Sequence, residues 1–464
     1  MSALTIRDVV IGGRDGLDVR IEAGRIVALG RRLAATSDEI DGAGGALIPG
    51  LADHHIHLPA LAAEASSVRL ADLSSAGQLR QRIADAAAAF PPGAWLRATG
   101  YHERIAGELA LADLDTLAPR HPLRVQHQSG ALWMLNSLAL AALGEADLPS
   151  AMERDRAGRL TGRLFRGDAW LRTRLAPQPL DLAAIGRRLA SFGITAVTDA
   201  SASNDADSAA ILAAAHRDGA LPQRLTLMSA GRLETPDDRV FTIGPVKVLL
   251  DDAALIDLDD FTSRIDRARS WRRAVAVHCV TAAELALTLA AFDAAGASPG
   301  DRIEHGGVIP AEAIGRLKAL GLAVVTQPAF IAERGDRYLA EVEAAEQPDL
   351  YRCASLVGAG VPVALSSDAP YGSPDPWTAI AAASTRRTAA GATLGLGERI
   401  DAADALARYL GAALDPGGSP RRVEVGAPAD LCLLAGPLRE ALAAPSSDCV
   451  RATLIAGDVV FRAA

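Results

Sequence analysis

The sequence predicts an α/β fold: a TIM-type (β/α)8 barrel carrying a small β-sandwich built from both chain ends. Three observations lead there. Eight short β-branched runs, each closing on polar residues, recur between Ala- and Leu-rich helical segments from residue 49 to 414. Residues 1–48 and 415–464 read instead as short strands joined by tight turns. The interval from about 60 to 190 is too long for one crossover and reads as an insertion with its own strands and helices.

In chain order, "ALTIRDVVIGG" and "LDVRIEAGRIVALG" are strands, with Asp15-Gly16 and Ala23-Gly24 as turns. The first barrel run is "PGLADHHIHL" from Pro49. The insertion contributes strands in "AWLRATGYHE" and "LRVQHQSG". The barrel resumes with "ITAVTDAS" from Ile194, "RLTLMSA" from Arg224 and "VKVLLDD" from Val246. It continues through "AVAVHCV" from Ala274, "RIEHGG" from Arg302, "LAVVTQP" from Leu322 and "PVALSSDAP" from Pro362. After the seventh run, residues 329–351 read as a charged surface excursion able to act as a lid. The tail, "VGAPADLCLLAG" and "VRATLIAGDVVFR", returns to short strands.

Composition narrows the function classes. Half of the 464 residues are hydrophobic and 22% are charged, as in ordinary soluble proteins. A net charge of −9 argues against nucleic acid or an anionic membrane as partner. Cys279, Cys353, Cys432 and Cys449 are scattered with no CxxC pair, which suggests neither a disulfide framework nor a thiolate metal site. No basic-then-apolar leader opens the chain, and the longest uncharged stretch, Val125 to Gly144, is broken by polar residues. The expectation is a cytoplasmic protein acting on a small molecule, its oligomeric state open and a homo-oligomer included.

The polar ends of the barrel runs hold the unusual residues. His55 and His57, two apart on a strand, project to one side and can chelate one cation. His278 and His305 each end an apolar run, and Asp368 lies in "SSDAP". Taken singly, each histidine reads as well as a hydrogen-bonded core residue, and the aspartate as a cap or turn. In a barrel, however, all five sit at the C-terminal face, where such barrels place their active sites. Four imidazoles and a carboxylate converging there match a site for zinc or a similar divalent metal.

Lys247 raises a separate question. Of 47 lysines and arginines only Lys247 and Lys318 are lysine. Lys318 lies in a helical pattern as a solvated cation, whereas Lys247 lies in an apolar run. A snorkelling strand-end lysine is one reading.

These motifs resemble the amidohydrolase superfamily of metal-dependent hydrolases, and within it the YtcJ-like branch that includes N-substituted formamide deformylase. "PGLADHHIHL", "IEHGG" and "SSDAPYGSPDP" look like its first-, sixth- and eighth-strand motifs. "ALWMLNSLAL", "AGRLTGRLF" and "GITAVTDAS" are similar to features of the branch, and the tail resembles its closing sandwich. Two departures bear on the substrate: Thr281-Ala282 stands where the branch usually has a Gly-Asp pair, and Gly130-Ala131 precedes Trp133 and Asn136-Ser137 where the branch often has Gly-His.

The resemblance implies hydrolysis of a C–N amide bond in an amide or N-substituted formamide, by water activated on one or two divalent ions such as zinc. It implies that His55 and His57 hold a buried ion, His278 and His305 a more exposed one, and that Lys247, carboxylated by carbon dioxide, bridges them. Asp368 would be both ligand and proton carrier. A primary amine can lose its proton and form a carbamate, which a guanidinium cannot. Tyr101, His102, Trp133, Tyr338, Tyr371 and Trp377, aromatic residues near loops, are candidates for a pocket taking an apolar N-substituent. The alternatives are deamination within the same superfamily and a Schiff-base lyase using Lys247.

Overall fold

The computed structural model describes residues 3–463, apart from 145–147, 176–179 and 235–237. The chain forms two compact units, Met1–Leu58 with Leu182–Ala464, and Pro59–Asp181.

The first unit contains eight parallel strands in chain order: Leu51–Ile56, Ile194–Asp199, Arg224–Ser229, Phe241–Leu249, Val275–Cys279, Arg302–His305, Ala323–Thr326 and Val363–Leu365. They read as near-continuous apolar runs because both faces are covered, and every residue of the first, second, sixth, seventh and eighth is buried. The eighth strand meets the first through polar groups at their ends. Ser367 donates its N–H and hydroxyl to the Asp53 carboxylate at 3.1 and 2.5 Å. The Asp368 N–H donates to the His55 carbonyl and the His57 N–H to the Ala369 carbonyl, both at 2.8 Å. The result is a barrel with its strand C-termini on one face.

The fourth strand begins at Phe241, five residues before the run read from sequence. Gly244-Pro245 looks like punctuation, but the ladder with the third strand shifts register between Leu227/Ser229 and absorbs the proline there as an irregularity.

Two four-stranded sheets share an apolar core in the same unit. One comprises Leu4–Ile11, Arg14–Glu22, Arg25–Gly30 and Asp38–Asp41. The other joins Leu47–Pro49 to Leu431–Leu434, Val450–Ile455 and Asp458–Arg462. Ile6, Val19, Ile21 and Ile26 meet Leu47, Leu431, Leu433 and Leu454, each worth about 1.5–3 kcal/mol on burial. Both chain ends are thereby tied into one assembly.

The second unit, Pro59–Asp181, is a six-stranded sheet in the order Met152–Arg154, Leu160–Phe165, Leu132–Leu135, Leu123–His127, Leu96–Tyr101, Val68–Arg69. On one face Leu96, Ala98, Leu123 and Val125 pack with Leu79 and Ile83 of helix Ala76–Ala88. This unit ends at 181 rather than about 190. Helix Leu182–Ser191 belongs with the barrel unit, where it buries Leu182, Ile185 and Leu189, and its Gly186 admits the Ala220 carbonyl at a distance no Cβ would tolerate. No helix among the described residues is long and apolar enough to cross a membrane.

Candidate metal centre

The first strand carries His55 on its last turn of pleat, and His57 follows one residue beyond its end. Their rings lie 5.2 Å apart between centroids. His305 stands 4.7 Å from His55, and His278 stands 4.6 Å from His305, so the four imidazoles form a continuous row across the strand ends. Asp368 reaches in from beyond the eighth strand. Its Oδ1 is 3.2 Å from His57 Nε2 and 3.4 Å from His55 Nε2. Ligating atoms of His55, His57 and Asp368 all lie within 4.8 Å of one another. His305 and Asp368 both adopt left-handed backbone, with φ of 70° and 54°, a conformation that non-glycine residues hold only where the surroundings enforce it.

Three of the imidazoles are fixed from behind. His55 Nδ1 is hydrogen-bonded to Glu304, His57 Nδ1 to Ser201 Oγ at 3.0 Å, and His305 Nδ1 to Gln327 Oε1 at 3.0 Å. The Gln327 amide is oriented by donating its Nε2 to Ser366 Oγ at 2.9 Å, which turns its oxygen to His305. An acceptor at Nδ1 places the ring proton there and leaves the Nε2 lone pair for a ligand. Burial, and the neighbouring cations, push His55 and His305 well below the usual histidine range, so both are neutral donors. Burial raises the Glu304 carboxyl, but Arg302, Lys247 and His305 outweigh it and hold it below its ordinary value.

The two lysines behave as differently as their contexts suggest. Lys318 is exposed at the end of helix Ala311–Leu320. Lys247 is 2% exposed, two residues before the end of the fourth strand, with its Nζ buried and without a hydrogen bond. Burial pushes its ammonium down, against the pull of Glu304 and Asp368. His55 Nε2 and Asp368 Oδ1 are likewise buried and make no hydrogen bond. An amine, an imidazole nitrogen and a carboxylate oxygen left unsatisfied inside a barrel is costly unless something coordinates them. Neutral imidazoles, a carboxylate and a deprotonatable amine are the donor set a divalent metal requires, and these residues fit one.

The four imidazoles differ in burial. His55 and His305 are both buried, while His57 and His278 are partly exposed, so each expected pair contains one of each kind.

The six aromatic candidates divide. Tyr371 lies edge-on to His57 at 5.6 Å, and with Tyr338 it packs on the cluster of Phe330, Ile331, Leu350, Tyr351 and Leu394. Tyr338 stacks on Tyr351, their hydroxyls 3.3 Å apart. Trp377, by contrast, is wholly buried and donates Nε1 to the Phe192 carbonyl at 3.1 Å, so it presents no surface to a ligand. Tyr101 is wholly buried in the insertion's core, its hydroxyl donating to the Gly107 carbonyl at 2.7 Å. His102 caps a short helix, Nδ1 accepting the Arg104 N–H at 3.0 Å. Trp133 is 3% exposed and donates Nε1 to Asp168 at 2.9 Å.

The segment read as a charged surface excursion is anchored. Helix Ala329–Glu341 buries Phe330 and Ile331, and the Tyr351 N–H donates to the Gly307 carbonyl at 3.0 Å. Thr281, in the first departure, and Asn136, which follows the second, both have structural roles. Thr281 and Glu284 form a capping box on helix Ala282–Ala295. Asn136 is wholly buried, accepting from Leu123 and Ala139 and donating to Ala118 and His121. Cys279 is buried against Thr288 Oγ1 at 3.2 Å, as core packing.

Known proteins are similar to this chain in sequence and in fold. N-substituted formamide deformylase from Arthrobacter pascens is 27% identical over 90% of this chain and 89% of its own. A metal-dependent hydrolase structure from Pyrococcus furiosus superposes with a TM-score of 0.70 at 20% identity, covering 92% of this chain and 98% of that one. An adenosine deaminase from Xanthomonas campestris with bound zinc shares the fold at a TM-score of 0.56 and 16% identity, over 98% and 92% of the two chains. The amidohydrolase family profile matches residues 38–461, nearly the full length, and the chain belongs to that family of metal-dependent hydrolases.

Proposed function

We propose that this enzyme hydrolyses the C–N bond of a small amide, an N-substituted formamide or a close analogue, releasing an amine and a carboxylic acid. The observation that carries the reading is the trio of buried, unsatisfied atoms at the strand ends: Lys247 Nζ, His55 Nε2 and Asp368 Oδ1. Similarity to the formamide deformylase over nine-tenths of the chain supports the choice of bond.

His55, His57, His278, His305 and Asp368 would hold zinc or a similar cation, and Lys247, carboxylated, would hold two such ions together. A cation there, when bound, polarises a carbonyl and lowers the pKa of water. The protein's own groups do the rest. Glu304, Ser201 and Gln327 hold three imidazoles in the tautomer that offers Nε2. Lys247 takes up carbon dioxide through its neutral amine, losing a proton as the C–N bond of the carbamate forms; burial favours that neutral form. Asp368 accepts the proton of the attacking water and returns it to the departing nitrogen, so the amine leaves neutral as the C–N bond breaks. Tyr371, beside His57, is placed to pack against the substrate.

The test is metal content per chain measured together with turnover on amides, formamides, esters and aminopurines. The expected outcome is bound divalent metal, amide or formamide hydrolysis, loss of activity on chelation, and recovery with zinc, manganese or cobalt. Full turnover by metal-free protein would overturn it, and turnover of aminopurines alone would establish deamination instead.

A further inference from the structure

On one face of the insertion's sheet two arginines stand side by side. The parallel strands Leu96–Tyr101 and Leu123–His127 set Arg97 directly beside Arg124. Gln126 shares the face of Arg124 by strand alternation, and Thr99 follows Arg97 by two residues, at a register shift in its strand. Trp133, paired with Gln126, shares that face. The Cζ atoms of Arg97 and Arg124 stand 5.5 and 5.4 Å from its ring centroid.

Stacking on an indole attracts each guanidinium by about 0.5–2 kcal/mol. It does not explain why two like charges face each other across neighbouring strands, where they repel. The acceptors nearby are committed. Gln126 Oε1 accepts from Arg97 Nη2 at 3.4 Å, and Asp168 Oδ1 from Trp133 Nε1 at 2.9 Å. Among the described residues the Arg124 side chain makes no hydrogen bond or ion pair, and its Nε is buried. Thr99, 5% exposed, has a buried hydroxyl that also lacks a partner. Burial, reinforced by Arg97 and opposed by Asp168, lowers the Arg124 guanidinium to about 10. An anion beside the two arginines would relieve the repulsion and use the donors of Arg124 and Thr99.

We propose that this face binds a carboxylate, held by Arg124 and Arg97 with the Thr99 hydroxyl. Paired planar guanidiniums match the two oxygens of a carboxylate. The anion is a separate small organic acid, bound within the insertion unit itself. The binding claim does not rest on the metal centre.

The experiment is calorimetric titration of the full-length holoenzyme, and of its Arg124→Gln and Arg97→Gln variants, with benzoate and with neutral benzamide. Benzoate is expected to bind wild type and to weaken about tenfold or more in each variant, while benzamide does not bind. A benzoate-binding component that both variants retain unchanged belongs elsewhere, and if that is all the binding there is, the proposal fails. It fails equally if wild type takes up no benzoate at millimolar concentration. Should Arg124→Gln not fold by circular dichroism, Arg97→Gln carries the comparison. Because the titration needs no turnover, failure of the hydrolase reading would leave its result standing.

Discussion

The ring of His55 is held by Glu304, a carboxylate from the sixth strand that is hydrogen-bonded to Nδ1 and also accepts Arg302 Nε at 2.5 Å. A ligand-facing imidazole backed by a carboxylate is both oriented and made more basic. Glu304→Gln should therefore lower metal affinity about 10–100-fold, and it should also destabilise the fold because Arg302 loses its buried partner. Equilibrium dialysis against a metal buffer measures the first, and chemical denaturation the second. Unchanged metal affinity would reduce the contact to a structural ion pair.

Lys247→Arg should be nearly as damaging as Lys247→Ala. The substitution keeps the charge, yet only a primary amine forms a carbamate. Propionate at millimolar concentration should partly restore Lys247→Ala, because it supplies the missing bridging anion, and propionamide should not. Steady-state turnover decides the matter. An active Lys247→Arg enzyme would leave a site built from the histidines and Asp368.

Asp368→Asn should retain the fold and lose turnover by about 10²–10⁴-fold, the usual cost of removing a general base. The amide cannot accept the water's proton. Near-normal kcat in that variant would remove Asp368 from proton transfer.

Acid stability offers a check remote from the metal centre. Glu398 is buried and accepts from Arg352 Nη1 at 2.6 Å, the Cys353 N–H at 2.9 Å and the Ser355 N–H at 3.0 Å. Burial raises its carboxyl, but these donors prevail and hold it below the ordinary value of 4.5. Its contribution is complete above that value and is lost as pH falls through the lower folded one. Glu398→Gln should thus be less stable than wild type near neutrality, and the gap should narrow below pH 4.5. Urea midpoints across pH test this, and a gap that stayed constant would contradict it.

The barrel strands and the five polar residues at their ends are legible because the signal is local: an apolar run, then a histidine or aspartate. Lys247 stands out by contrast with the arginines around it. Glu304, Ser201 and Gln327 are not legible in this way. Each acts on a histidine from another strand, and Glu304 in "RIEH" reads only as the neighbour of His305. The aromatic candidates show the opposite difficulty. Proximity to a loop is visible in sequence, but whether Trp377 or Tyr101 faces inward depends on which carbonyl its polar atom reaches.

The seam where the eighth strand meets the first has a consequence for how the protein is made. The bonds from Ser367 to Asp53 span 314 residues, and Asp368 enters the site from beyond that seam. Contacts so distant in sequence form late, since a long loop must close before they contribute. A growing chain that has exposed only His55 and His57 offers two of the donors and lacks the rest of the centre. Synthesis must pass the eighth strand before the centre can assemble, which keeps hydrolytic chemistry confined to finished molecules.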